Sequence, residues 1–170
     1  MDQSGSMAGE KIKIAFLGTA ALARALRSIP GTAVAAGSFS LKYFPAYAEK
    51  VPYVASLLGY GEHERHMNLA IPPYCEDTPM AEAIYCAAAH LLMRQEPRRL
   101  LVVLTDGLPD LIVPTKEIIQ KCRSVGLEVY GVGIMESAVE PLFGKKFSSV
   151  VNTIGELPER MFRLLANCLY

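Results

Sequence analysis

The chain has 170 residues, of which 51% are hydrophobic and 20% charged, enough apolar stock for one ordinary globular domain with its own core. Lys plus Arg and Asp plus Glu number 17 each, so the net charge is zero. That excludes a general attraction to nucleic acid or to an anionic membrane surface, and any partner has to be recognised locally. No apolar run reaches the length of a membrane span, because Arg24, Arg27, Arg94 and Glu96 interrupt the two most hydrophobic helical stretches.

Cys75, Cys86, Cys122 and Cys168 show no C-x-x-C spacing, and nothing upstream of Asp2 could serve as a secretory leader. Reduced thiols and a cytoplasmic location are the expectation. His63 and His66 followed by Cys75 match no structural zinc pattern, and surface histidines with a buried thiol are the plainer reading.

From Glu10 to Ile29 apolar residues fall on nearly every turn, and Pro30–Gly31 closes the segment, which predicts a largely buried helix. Thr32 to Phe39 is short and rich in small and β-branched residues, which suggests a strand. Between Ser40 and Tyr74, Pro45, Pro52, Gly59, Gly61, Pro72 and Pro73 break every pattern. Loops are expected there, with a short strand near Leu41 to Phe44 and a helix near Val51 to Leu58.

Thr78–Pro79 has the chemistry of a helix start, a capping hydroxyl followed by proline at the first helical position, with the helix running from Met80 to Arg94 and ending before Pro97. Leu100 to Thr105 is a continuous apolar run of the kind covered on both faces in a parallel sheet. Arg98 and Arg99 just before it read as a solvated strand entrance rather than a recognition patch. Thr115 to Val125 reads as an amphipathic helix ended by Gly126, and Leu127 to Ile134 as a buried strand. A helical turn over Val139 to Phe143, a strand over Phe147 to Val151 and a closing helix over Pro158 to Leu169 complete the series.

Alternating strands and helices predict a single α/β domain over residues 1–170, with a doubly wound, mainly parallel sheet and helices on both faces. Ligands in such folds sit at the carboxyl ends of the strands. Asp106 directly follows the central apolar strand, so its carboxylate is expected in that crevice.

Asp2–Gln3–Ser4–Gly5–Ser6–Met7 offers three oxygen side chains at alternate positions just before a helix, with Gly5 allowing a tight loop. One carboxylate and two hydroxyls suit Mg²⁺ or Mn²⁺ and are too few to complete an octahedron. Thr78 at a helix entrance and Asp106 at a strand end are expected at the same sheet edge, where they could supply most of what remains. Taken singly, these residues are also ordinary caps and turn formers.

Together, Asp-x-Ser-Gly-Ser-Met, a distant Thr–Pro, and Thr105–Asp106–Gly107 after an apolar strand resemble the metal-ion-dependent adhesion site of von Willebrand factor type A domains. The resemblance covers nearly the whole chain. It implies that Ser4 and Ser6 bind a Mg²⁺ or Mn²⁺ ion directly, Thr78 directly or through water according to state, and Asp2 and Asp106 directly or through waters. Thr105 to Asp110, Phe143–Gly144 and Leu157–Pro158 look most like the bacterial branch of cobaltochelatase subunits and nitric-oxide-reductase activation proteins. That branch works with a ring-forming AAA+ ATPase, of the MoxR-like or chelatase-subunit kind. Family members begin with an apolar strand ending at the first metal-binding Asp, whereas Asp2 here follows Met1. The first central strand is therefore expected to be lacking, with either the chain a fragment in that respect or the gap filled by a rearranged or neighbouring chain, and in both cases Asp2 less firmly held.

An ion held by hydroxyls, waters and at most two carboxylates keeps an exchangeable position that an Asp or Glu of a protein partner can fill. A metal-dependent protein-interaction domain, not an enzyme, is the expectation, with a metal-independent scaffold as the alternative. A metal-dependent hydrolase fits less well. Haloacid-dehalogenase-like phosphatases carry a second carboxylate where Ser4 stands, and there is no G-x-S-x-G elbow or Walker lysine loop.

Overall fold

The two most continuous apolar runs of the chain lie side by side. In the computed structural model, which describes residues 1–44, 49–67, 77–156, 159, 160, 162 and 163, β3 (Arg99–Thr105) and β4 (Leu127–Ile134) pair in parallel, with Leu101 opposite Val129 and Val103 opposite Gly131. β5 (Ser148–Val151) extends the parallel sheet beyond β4. Arg98, at the entrance to β3, pairs with Glu128 on the neighbouring strand, in keeping with a solvated strand entrance.

Alternation along these strands feeds two cores. Val103 and Val129 join Met80, Ala83, Ile84 and Ala88 of α2 (Met80–Leu92), Ile119 and Cys122 of α3 (Ile112–Ser124), and Leu142 and Phe143 of α4 (Glu140–Phe143). Leu104, Val132 and Ile134 join Ile12, Ile14 and Ala15 of α1 (Glu10–Arg27). The expected doubly wound α/β arrangement, with helices on both faces, is present.

Residues 32–58 depart from expectation. The predicted strand over Thr32 to Phe39 and the short one at Leu41 to Phe44 are one strand, β1 (Ala36–Phe44), and the predicted helix over Val51 to Leu58 is instead β2 (Glu49–Leu58). The two form an antiparallel hairpin with Ser40 opposite Tyr53 and Lys42 opposite Val51. Val51, Tyr53 and Ala55 are half-buried while Pro52, Val54 and Ser56 are exposed, a period of two that settles the choice for a strand. Pro52 is tolerated because it faces a strand on one side only.

The opening residues join the hairpin to the parallel sheet. The Asp2 N–H donates to the Leu104 carbonyl of β3 (2.8 Å), the Gln3 N–H to the Phe39 carbonyl of β1 (2.9 Å), and the Phe39 N–H to the Met1 carbonyl (3.0 Å). Met1–Gln3 thus lies between β1 and β3, parallel to β1. Asp2 is fully buried there, so the expectation that it is loosely held is overturned: three backbone hydrogen bonds do locally what a longer strand was expected to do.

Two helix starts also shift. α3 begins three residues before Thr115, whose hydroxyl donates back to the Leu111 carbonyl (2.7 Å). α2 is capped by Pro79, not by the Thr78 hydroxyl, so proline stands one position earlier than expected and no side chain caps this helix. Of the predicted closing helix, Glu159, Arg160, Phe162 and Arg163 are helical and the rest lies outside the described residues.

Gly131 shows how closely α4 is seated. A Cβ at this position would stand 2.3 Å from the Phe143 ring. Arg123 reinforces the seat by donating to the carbonyls of Val129 (2.8 Å) and Phe143 (2.9 Å). Gly131→Ala is expected to lower stability by about 2 kcal/mol through overpacking, read as a lower urea midpoint with unchanged slope.

Candidate metal centre

Asp2, Ser4, Ser6 and Asp106 form a continuous hydrogen-bonded chain at the carboxyl end of β3. One Asp2 carboxylate oxygen accepts the Ser4 N–H (2.8 Å), and the other accepts the Thr105 hydroxyl (2.6 Å). The Ser4 and Ser6 hydroxyls lie 3.1 Å apart. Ser6 in turn donates to Asp106 Oδ1 (2.8 Å), and Lys11 Nζ donates to Asp106 Oδ2 (2.6 Å).

Local structure explains the convergence. After Gln3 the chain leaves the sheet, Gly5–Met7 makes a single 3₁₀ turn, and Gly9, at φ +82°, admits the reversal that starts α1. Ser4 and Ser6 are therefore held above the strand end, and Lys11, in the first turn of α1, reaches back over them.

Thr78 arrives on the neighbouring loop. Its N–H donates to the Asp110 carboxylate (3.0 Å), while the Asp110 N–H donates to the Thr78 carbonyl (3.2 Å). This reciprocal clasp fastens the Thr78 loop to the loop that carries Asp106, and Thr78 is buried. The structure thus links four of the five expected residues by hydrogen bonds that involve their side chains, and it ties the fifth, Thr78, to Asp110 on the loop that follows Asp106.

Three supporting residues escaped the sequence reading. Thr105 enters it only as a strand end and, with Asp110, as part of a motif, and Lys11 has no role in it beyond its place in the first predicted helix. A hydroxyl next to Asp106, in Thr–Asp–Gly, was the one signal available for any of them.

Burial pushes the Asp2 carboxyl above the usual carboxylate range, and the hydrogen bonds from Thr105 and Ser4 work against that shift. A group whose folded pKa is raised contributes stability that is present below its unfolded pKa and lost as pH rises through the folded value. At neutral pH the buried Asp2 carboxyl is therefore a net cost to the fold taken by itself.

The donor set fits a hard divalent ion: two carboxylates and three hydroxyls, all oxygen. Among the described residues no cluster of three or more His, Cys, Asp or Glu exists, so nothing described here suits a soft-ligand zinc site. His63 accepts from the Arg65 N–H and His66 from the Arg65 side chain, and Cys75 lies outside the described residues. A stand-in cation is already present at Asp106, in the form of the Lys11 ammonium. If an ion binds, Ser4, Ser6, Asp106 and Thr78 offer it oxygens. Asp2, with both oxygens engaged, holds the loop and can act through water.

Asp2→Asn should preserve the Ser4 contact and remove the buried charge. Its melting temperature in chelator at pH 7 is expected to exceed that of the parent by a few degrees, with the difference vanishing as pH falls through the ordinary carboxylate range. A lower melting temperature at pH 7 would show that the ionised carboxylate stabilises the loop.

No family model matches the chain. In an alignment of 118 positions that covers 62% of the chain, it is 35% identical to the uncharacterised protein PA0525 of Pseudomonas aeruginosa, and the match spans 19% of that protein. Proximal thread matrix protein 1 of the mussel byssus superposes on 99% of the chain, with a TM-score of 0.73 at 13% identity over 46% of its own length. The same protein solved with a zinc-occupied metal-ion-dependent adhesion site gives 0.70 at 12% identity over the same shares. Manganese-loaded TRAP protein of Plasmodium vivax gives 0.65 at 17% identity, covering 96% of this chain and 70% of its own. The fold of this chain is that of the von Willebrand factor type A domain.

Proposed function

We propose that the chain is a metal-dependent protein-interaction domain, in which Asp2, Ser4, Ser6, Thr78 and Asp106 hold a Mg²⁺ or Mn²⁺ ion that an acidic residue of a partner completes. The observation that carries this reading is the chain of contacts from Asp2 through Ser4 and Ser6 to Asp106 at the strand ends. A hydroxyl-rich set leaves a bound divalent ion with excess positive charge and an exchangeable position, which favours a carboxylate as the last ligand.

No catalytic role is included. Both oxygens of Asp2 are tied to Ser4 and Thr105, so the residue that would serve as nucleophile in a phosphatase is fully engaged. The metal-independent scaffold remains a second reading. What favours it is the Lys11–Asp106 ion pair, which gives the site internal charge balance.

Partnership with an AAA+ ATPase of the MoxR-like or chelatase kind belongs to the same proposal. It is supported by the motif resemblance of Thr105 to Asp110 and of Phe143–Gly144. A cytoplasmic setting fits the free thiols of Cys86 and Cys122, and among the described residues no helix is long and apolar enough to cross a membrane.

A peptide array rich in Asp and Glu, probed in Mg²⁺ and in EDTA, tests the grip directly. Binding that appears with Mg²⁺ and falls on the order of tenfold or more in EDTA and in Asp106→Ala is the expected result. Capture that survives EDTA and Asp106→Ala in a folded protein selects the scaffold instead.

A further inference from the structure

The Asp106 carboxylate is 1% exposed, and each of its oxygens accepts a hydrogen bond: Oδ1 from Ser6 at 2.8 Å and Oδ2 from Lys11 at 2.6 Å. Lys11 is the cation that contacts Asp106, while the Met1 ammonium, buried beside Asp2, donates to the Gly37 carbonyl (2.8 Å). A buried carboxylate needs such a counter-charge, and the short ammonium contact supplies it. The lysine itself is one-third exposed and sits in the first turn of α1 on a long flexible stem, so it can leave the site without moving the helix.

An ion resting against Ser4, Ser6 and Asp106 would stand within a few ångströms of that ammonium. Like charges at such range in a partly buried site repel strongly, so the two cations compete for one carboxylate. We propose that Lys11 is an internal competitor of the divalent ion: it neutralises Asp106 when no ion is bound, and ion binding displaces it to solvent. This rests on the reading of these residues as a metal centre. It adds that ion affinity is set by an exchange of one cation for another, and that a loaded site presents a freed ammonium beside the ion, a second positive contact for an acidic partner.

Two measurements test it. The first is a Mn²⁺ titration of the parent, Lys11→Met and Lys11→Arg, followed by the electron paramagnetic resonance of the free ion. Lys11→Met is expected to bind on the order of tenfold more tightly, and Lys11→Arg, which keeps the charge, to remain near the parent. The second needs no variant: acetylation of Lys11 in the parent, read by mass spectrometry with exposed Lys13 as internal reference, is expected to rise several-fold on adding Mg²⁺.

Equal or weaker Mn²⁺ binding by Lys11→Met overturns the competition. A Lys11 acetylation rate indifferent to Mg²⁺ overturns the displacement, since repulsion through space alone leaves the lysine in place. If neither parent nor variant takes up Mn²⁺, the metal centre itself fails and this inference with it. If the parent binds and Lys11→Met gains nothing, only this inference fails.

Discussion

Three backbone hydrogen bonds around Met1–Gln3 decide how the two halves of the sheet meet. With Asp2 bonded to Leu104 on one side and Gln3 and Met1 to Phe39 on the other, these residues link the two-stranded β1–β2 sheet to the three-stranded β3–β4–β5 sheet. The same three residues lead directly into the loop that carries Ser4 and Ser6. Sheet continuity and loop placement are thus one constraint, and the Asp2 carboxylate enforces it by accepting from Ser4 in the loop and Thr105 at the end of β3. A fully buried carboxylate is unfavourable in isolation, and two donors aimed at it are what make the position tolerable.

The elements legible in the sequence are those whose local pattern and tertiary setting agree. Leu127–Ile134 is apolar enough to be covered on both faces and is buried apart from half-buried Glu128, whereas in Leu100–Thr105 the last three residues are buried and Leu100–Val102 are half-buried. The α1 pattern ends at Pro30–Gly31, close to the observed end at Arg27. The hairpin was hidden for a different reason. Its alternation is weak, because Ala55 and Ser56 are small and Val54 is exposed, and Pro52 suggests a break. What makes β2 a strand is pairing with β1, a non-local fact that no window of ten residues contains.

The site divides along the same line. Residue types and order pointed to Asp2, Ser4, Ser6, Thr78 and Asp106, and the structure joins Asp2, Ser4, Ser6 and Asp106 by hydrogen bonds at the carboxyl end of β3. The residues that organise those donors carry no such mark. Thr105 matters through a bond to a residue 103 positions away, Asp110 through a clasp 32 positions away, and Lys11 through a contact spanning 95. A lysine on an amphipathic helix is by default a solvated charge, and only the path of the chain over the strand ends turns it into a partner for Asp106.

Charge, finally, is what the arrangement leaves adjustable. The two cores fix the strand ends from both faces, with Leu104 and Val132 packed towards α1 and Val103 and Val129 towards α2, α3 and α4. Clasped loops fix the oxygens, and Asp2 is committed to its two donors. Asp106 is held in part by the end of a flexible, one-third-exposed side chain, a partner that can change without disturbing any of this. A site built on a rigid frame with one exchangeable counter-charge can take up or release a cation at small structural cost, because the exchange swaps one contact and leaves the packing intact.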